Sequence, residues 1–198
     1  MKTLHAMPFL LFVGALAAQA VDQTQRAVTE ASQRGNARIF YWGQTGSVGQ
    51  LSVDYGQPKW NAQFEAQWQQ LQGKRWRMGQ NHWTNLDTNI DLTVGGVKLA
   101  AGHYYMTLEQ DKEGQFQLTF LDPAKAHARK LDAFDAGKTV GGIQVAMKRQ
   151  ELETAAPSLT IALPVSGQND NKESLVIRFG PHQFTAPIVM HRVNTVPK

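Results

Sequence analysis

The chain has 198 residues, 42% of them hydrophobic and 18% charged, enough for one domain with a single buried core. Its formal net charge of +4 is carried by scattered basic residues, with only Arg75/Arg77, Arg129-Lys130 and Lys148-Arg149 close together, so no nucleic-acid groove is expected. The absence of cysteine excludes a disulfide framework, an iron–sulfur cluster, thiolate zinc ligands and a lipid carried on cysteine.

Lys2 gives a basic start, Met7 to Ala18 an apolar run, and Ala18-Gln19-Ala20 a small-x-small cleavage site. Residues 1–20 therefore read as a Sec-type signal peptide cut near Ala20. The run is short for a bilayer span, so no stable membrane segment is expected once the leader is removed. The location expected is periplasmic or extracellular. Residues 21–47 read as an N-terminal helix and strand extension, 48–190 as a β-sandwich domain and 191–198 as a tail. Asp22 caps a helix running to Arg34 with Gly35 as its stop, and Arg38 to Trp42 is strand-like. Gly43, Gly46 and Gly49 mark a loop, and they lack the order of a phosphate-binding fingerprint.

Leu51, Val53 and Tyr55 alternate with Ser52 and Asp54 in a half-buried strand that Gly56 and Pro58 end. Trp60 to Leu71 fits helical and strand periods alike, but its Gln, Ala and Glu content favours a short helix whose aromatics seal one end of the core. The densest signals follow. Leu86, Thr88, Ile90, Leu92 and Val94 share one face of an extended run, with Asn85, Asp87, Asn89 and Asp91 on the other. Gly95-Gly96 predicts a two-residue hairpin turn into Val97 and Leu99. After Ala100-Ala101-Gly102, Tyr104, Met106 and Leu108 point inward, while His103, Tyr105, Thr107 and Glu109 point outward. Upstream, Trp76 and Met78 alternate with Arg75 and Arg77, which puts two arginines on a polar face with Asp87 and Asp91.

Phe116, Leu118 and Phe120 form a further strand after a turn at Asp111 to Gly114. Asp122-Pro123 stops it and starts a short helix to about Phe134. Four more sets have strand period: Ile143, Val145, Met147; Leu159, Ile161, Leu163; Leu175, Ile177, Phe179; and Phe184, Ala186, Ile188. Turns are expected at Asn169 to Lys172 and at Gly180-Pro181. The pattern predicts an all-β fold, an antiparallel β-sandwich of jelly-roll or immunoglobulin-like type with one or two short peripheral helices.

No catalytic motif is present, and the histidines stand singly. The candidate binding residues are Arg77, Asn81, His82, Trp83 and Asp87, because a guanidinium, an amide and an aromatic face suit a sugar, a carboxylate or a peptide end. Against this stands a structural role, Arg77 and Asn81 acting as internal staples, which the need to pair buried polar groups favours. A metal on His82, His103 and Asp87, or a carboxylate pair drawn from Asp54, Asp87, Asp91 and Glu109, would instead make a hydrolase. The residues call for no catalytic, metal or cofactor site. The expected partner is a small ligand or an envelope protein.

The run Trp76-Arg77-Met78-Gly79-Gln80-Asn81, then Asp91 to Gly96, then Ala101-Gly102-His103-Tyr104, resembles the exported bacterial family DUF2911, a domain of unknown function. Val53 to Pro58 is similar to that family's Y-x-x-P strand end, and the resemblance spans Gln50 to Ile188. Ala100 stands where the family often has proline, and His82 where many members carry glutamate. The resemblance implies an exported β-rich domain and leaves its activity open. The reading is a non-catalytic binding or envelope-accessory protein, with a periplasmic hydrolase acting on a sugar or ester as the alternative.

Overall fold

The structure is a computed structural model in which residues 27, 29, 32–43, 46–68, 70, 72–165 and 173–191 are described. The chain divides into two units, Met1–Ala31 and Ser32–Lys198. Every strand and helix among the described residues lies in the second. The expected leader, the turn at Asn169 to Lys172 and the tail beyond His191 lie outside the described residues.

Alternation along the chain builds ten antiparallel strands among the described residues. They are β1 (Arg34–Gly43), β2 (Gly46–Gly56), β3 (Arg75–Trp76), β4 (Thr84–Thr88), β5 (Asp91–Val94), β6 (Val97–Leu99), β7 (Gly102–Gln110), β8 (Phe116–Leu121), β9 (Ile143–Ala162) and β10 (Glu173–His191). The order across the sheet is β1-β2-β4-β7-β8-β9-β10-β5-β6, with β3 placed beside β7. Two helices, α1 (Ala62–Trp68) and α2 (Pro123–Ala128), and a 3₁₀ turn (Ala133–Lys138) complete the unit. None of the described helices is long and apolar enough to cross a membrane.

The all-β antiparallel sandwich stands, and its two layers belong to one continuous sheet. β9 explains why. Its first residues, Ile143 to Met147, pair with β8 in one layer, and from Lys148 onward it pairs with β10 in the other. The sequence marks two strands in each of β9 and β10 because the apolar alternation lapses midway. Gly180 is the reason β10 bends without breaking. It has φ 58° and lies between two register shifts against β9, so the expected turn at Gly180-Pro181 is a bulge inside a 19-residue strand.

Leu86 to Val94 is likewise interrupted. Leu86, Thr88, Ile90, Leu92 and Val94 are all buried as their spacing requires. Yet β4 lies in the first layer and β5 in the second, with the chain crossing at Asn89-Ile90. Polar side chains hold the crossings: Ile90 N donates to Thr88 Oγ1 on the buried face, while on the face expected to meet solvent Asn89 Oδ1 accepts from Gln50 N and Asp91 Oδ1 from Ala101 N, each at 2.8 Å. Between the crossings Gly95 and Gly96, at φ 55° and 84°, turn β5 into β6 with Val94 opposite Val97.

Leu51, Val53, Leu86, Met106, Leu108 and Leu118 from the first layer meet Ile161, Leu175, Ile177, Phe184 and Ile188 from the second. α1, expected from composition, brings Phe64 and Trp68 to one end of that core. There Trp68 lies 4.8 Å from His182 in parallel stacking and 5.8 Å from Phe116, and Trp60 meets Phe179 edge-on at 4.9 Å. Each such pair adds about 0.5–1.5 kcal/mol to the area it buries. β1 begins at Arg34, where a helix end was expected, because Arg34 to Tyr41 run in register with Gly56 to Gly49 of β2.

The connection from β8 to β9 lies over the outer face of the first layer. Asp122 caps α2, its Oδ1 accepting from Ala124 N, but the helix stops at Ala128, short of Phe134. Lys130, at φ 54°, redirects the chain, and Asp132 caps the 3₁₀ turn. A second small core results, made by Trp83, Leu121, Ala133 and Ala136 with Tyr105 against it. Thr107, expected outside, is fully buried.

Candidate functional site

The segment Arg77 to Trp83 joins β3 to β4, and its backbone is set by tight packing. Met78, Gly79 and Asn81 have φ of 47°, 116° and 62°, the left-handed region. Thr84 Oγ1 donates to the Met78 carbonyl, and Met78 itself is fully buried. A Cβ on Gly56 would lie 2.5 Å from the Gln80 carbonyl, so this loop closes on the end of β2 with nothing but hydrogen between them. Asn81 suits its position because its short amide tolerates positive φ, and its Nδ2 donates to Ser32 Oγ at 3.3 Å.

Neither arginine meets Asp87 or Asp91. Arg75 Nε donates to Glu109 Oε2 at 2.8 Å, because β3 pairs with β7 rather than with β4 or β5. The Arg77 guanidinium lies 4.2 Å from the centroid of the Phe134 ring, on the 3₁₀ turn. Burial lowers its pKa, against which Asp132 pulls upward. Arg77 Nη1 is buried with no hydrogen-bond partner among the described residues.

Of the five candidate residues, His82 and Trp83 come together in one hollow of about 310 Å³ on the outer face of the first layer, with Arg34, Asp54, Asn85 and Tyr105. The registers Asn36–Asp54, Asp54–Asn85 and Asn85–Tyr105 explain the grouping, since outward side chains on β2, β4 and β7 stand in one row. Trp83 is the floor, stacked on Tyr105 with centroids 4.6 Å apart and planes within 4°. Its face is thus already covered. Tyr105 Oη is hydrogen-bonded to His127 Nε2 at 2.8 Å, and burial raises the pKa of this phenol.

Arg34 is the wall. Its Nε donates to Asp54 Oδ1 at 2.8 Å and its Nη2 to the Trp83 carbonyl at 3.2 Å, while Nη1 is buried and has no hydrogen-bond partner among the described residues. Asn85 Oδ1, on β4, is also buried and has no partner among the described residues. Two residues that line one hollow thus each carry a buried polar atom without a partner among the described residues. In the sequence Arg34 reads as a helix end and Tyr105 as one of several outward residues, so neither stands out as a site residue. Only the strand register joins them.

Asp87 is on the same face of β4, one repeat beyond Asn85. Its Oδ2 is 3.6 Å from His103 Nδ1, both groups about half exposed. Among the described residues no three histidine, aspartate or glutamate side chains converge as metal ligands, so His82 does not join His103 and Asp87. The carboxylates considered for glycosidic chemistry are separately engaged, Asp54 by Arg34, Asp91 by Ala101 N and Glu109 by Arg75.

No curated protein and no solved structure is matched by the chain. A family model described as "Protein of unknown function (DUF2911)" matches residues 41–188. The match takes in the Trp76 to Asn81 loop, the Gly95-Gly96 hairpin and the Ala101 to Tyr104 crossing, and it begins within β1, upstream of the resemblance seen from Gln50. With three quarters of its length so matched, the chain belongs to the DUF2911 family.

Proposed function

We propose that the protein is an exported, non-catalytic binding module whose hollow between Arg34 and Tyr105 holds a sugar. One observation carries the reading: Arg34 and Asn85, two residues that line the same hollow, hold a buried donor, Nη1, and a buried acceptor, Oδ1, with no hydrogen-bond partner among the described residues. Leaving such groups buried and unpaired costs about 1–3 kcal/mol each, and a ligand that pairs both recovers it. A hydroxyl both donates and accepts, so neighbouring sugar hydroxyls satisfy both. A carboxylate only accepts, and would leave Asn85 Oδ1 unmet while facing Asp54. Export rests on Lys2, the apolar run and the Ala18-Gln19-Ala20 site.

The test is thermal unfolding against a panel of mono- and disaccharides, with Asn85→Leu as the variant that removes the acceptor and keeps the Arg34–Asp54 and Trp83–Tyr105 contacts. A sugar at a hundred times its dissociation constant should stabilise the parent by about 2.7 kcal/mol, and Asn85→Leu should lose that gain. If no sugar stabilises the parent, or if the variant responds fully, the hollow is not a sugar site. N-terminal sequencing of protein recovered outside the cytoplasm should begin at Val21.

A hydrolase is favoured by one observation, the approach of His103 to Asp87, which would orient an imidazole beside the hollow. Release of product from aryl glycosides or esters, abolished by His103→Gln, would establish it in place of simple binding.

A further inference from the structure

The larger concavity is elsewhere, a cleft of about 560 Å³ between α2, the segment leading into β9 and the ends of β7 and β8. β8 spans the two ends of the sandwich core. Phe116 belongs to the aromatic seal around Trp68, whereas Phe120, four residues on, lies under the cleft with Tyr104 edge-on at 6.2 Å. No indole or second phenyl ring lines the cleft to close that end. Its walls are Tyr104, Phe120, Leu131, Val140 and Ile143, and Val140 is 69% exposed, an apolar side chain held in water at the mouth. The size is that of a small-molecule site.

Three charged residues line it: Asp122, Lys125 and Arg129. Asp122 is occupied in capping α2. Lys125 and Arg129 form no side-chain hydrogen bond or ion pair among the described residues. Two free cations against one engaged carboxylate leave the rim with a single net positive charge, which a monoanion neutralises. Burial, followed by the nearby Asp122 and Asp91 carboxylates, raises the pKa of the Tyr104 phenol, in keeping with a wall of low polarity.

We propose that this cleft binds a single-chain carboxylic acid, with its alkyl tail along Tyr104, Phe120 and Ile143 and its carboxylate at Lys125 and Arg129. The apolar walls recognise the chain through area removed from water, and the rim selects the sign of the head group. The site is separate from the sugar hollow, and its occupant shares no chemistry with it.

Calorimetric titration of the purified protein with decanoate, below its micellar concentration, tests this. Saturable binding is expected, weakened about fourfold for each methylene removed from the chain. Decylamine should bind about tenfold more weakly than decanoate, since the rim repels a cation. The double variant Lys125→Gln/Arg129→Gln should reduce decanoate to the affinity of decanol and leave decanol unchanged. Ala128→Trp, which fills the cleft from an exposed position, should abolish binding, and Val140→Trp does the same should Ala128→Trp fail to fold. Asn85→Leu should leave decanoate affinity intact, so the two readings fail separately. Absence of saturable binding, equal affinity for decanoate and decylamine, or full affinity in a folded cleft-filling variant overturns the proposal.

Discussion

Asn81 is where the binding and structural readings of the Arg77 to Trp83 segment part. Its φ of 62° costs a residue with an ordinary side chain about 1–2 kcal/mol, whereas glycine adopts it freely. If Asn81 serves the backbone, Asn81→Gly should be more stable than Asn81→Ala by about 1 kcal/mol in urea denaturation, although both lose the bond to Ser32. Equal destabilisation by the two would remove the backbone role. His182 is a titratable group held on several sides. It is 2% exposed and stacked on Trp68; its Nδ1 lies 3.0 Å from Arg149 Nη2 and its Nε2 3.3 Å from Glu65 Oε2. A guanidinium only donates, so Nδ1 accepts and the proton sits on Nε2, donating to Glu65. Burial and then Arg149 lower its pKa below 6.5, with Glu65 and Glu151 opposing. The unfolded chain therefore binds the proton first as pH falls. This contribution is complete above 6.5 and is lost on acidification through the folded-state pKa. The stability difference between the parent and His182→Phe should be constant above that value and shift against the parent below it. A difference that does not change with pH would show that the ring has the same pKa in the folded and the unfolded chain.

At the scale of elements, Gly180 decides how the second layer is made. A Cβ there would lie 2.3 Å from the Trp60 ring, and φ is 58°. Gly180→Ala must therefore both strain the backbone and push Trp60 off Phe179, a loss of about 3 kcal/mol or more. Gly96→Ala is the control, with φ 84° and open space around it, and should lose only the backbone part, about 1–2 kcal/mol. Equal losses would mean that Trp60 yields without cost. The elements themselves were largely legible. The alternation of Leu86 to Val94 gave the buried face correctly, Gly95-Gly96 gave the hairpin, and Trp60, Phe64 and Trp68 gave the sealing helix. Continuity was not legible. Periodicity records which face a residue takes and not which layer a strand joins, so the crossing at Asn89-Ile90 and the single long β9 and β10 were invisible to it.

For the whole molecule, the hollow was half legible. His82 and Trp83 were found from residue type, but Arg34 lies 49 positions from Trp83 and meets it only because β1, β2 and β4 stand side by side. The cleft under α2 was not legible, since Lys125 and Arg129 read as scattered charge until α2 set them on one rim. Folding one sheet over on itself has a further consequence, which concerns its margins. The order of strands across the sheet ends at β1 on one side and at β6 on the other. One of them, β6, is three residues long and offers little backbone for another chain to pair with. The other is β1, ten residues long, with Phe40 51% and Trp42 74% exposed. Of the two strands that end the order, only β1 offers another chain a long stretch of backbone to pair with, and Arg34 and Arg38 are the charged residues on it.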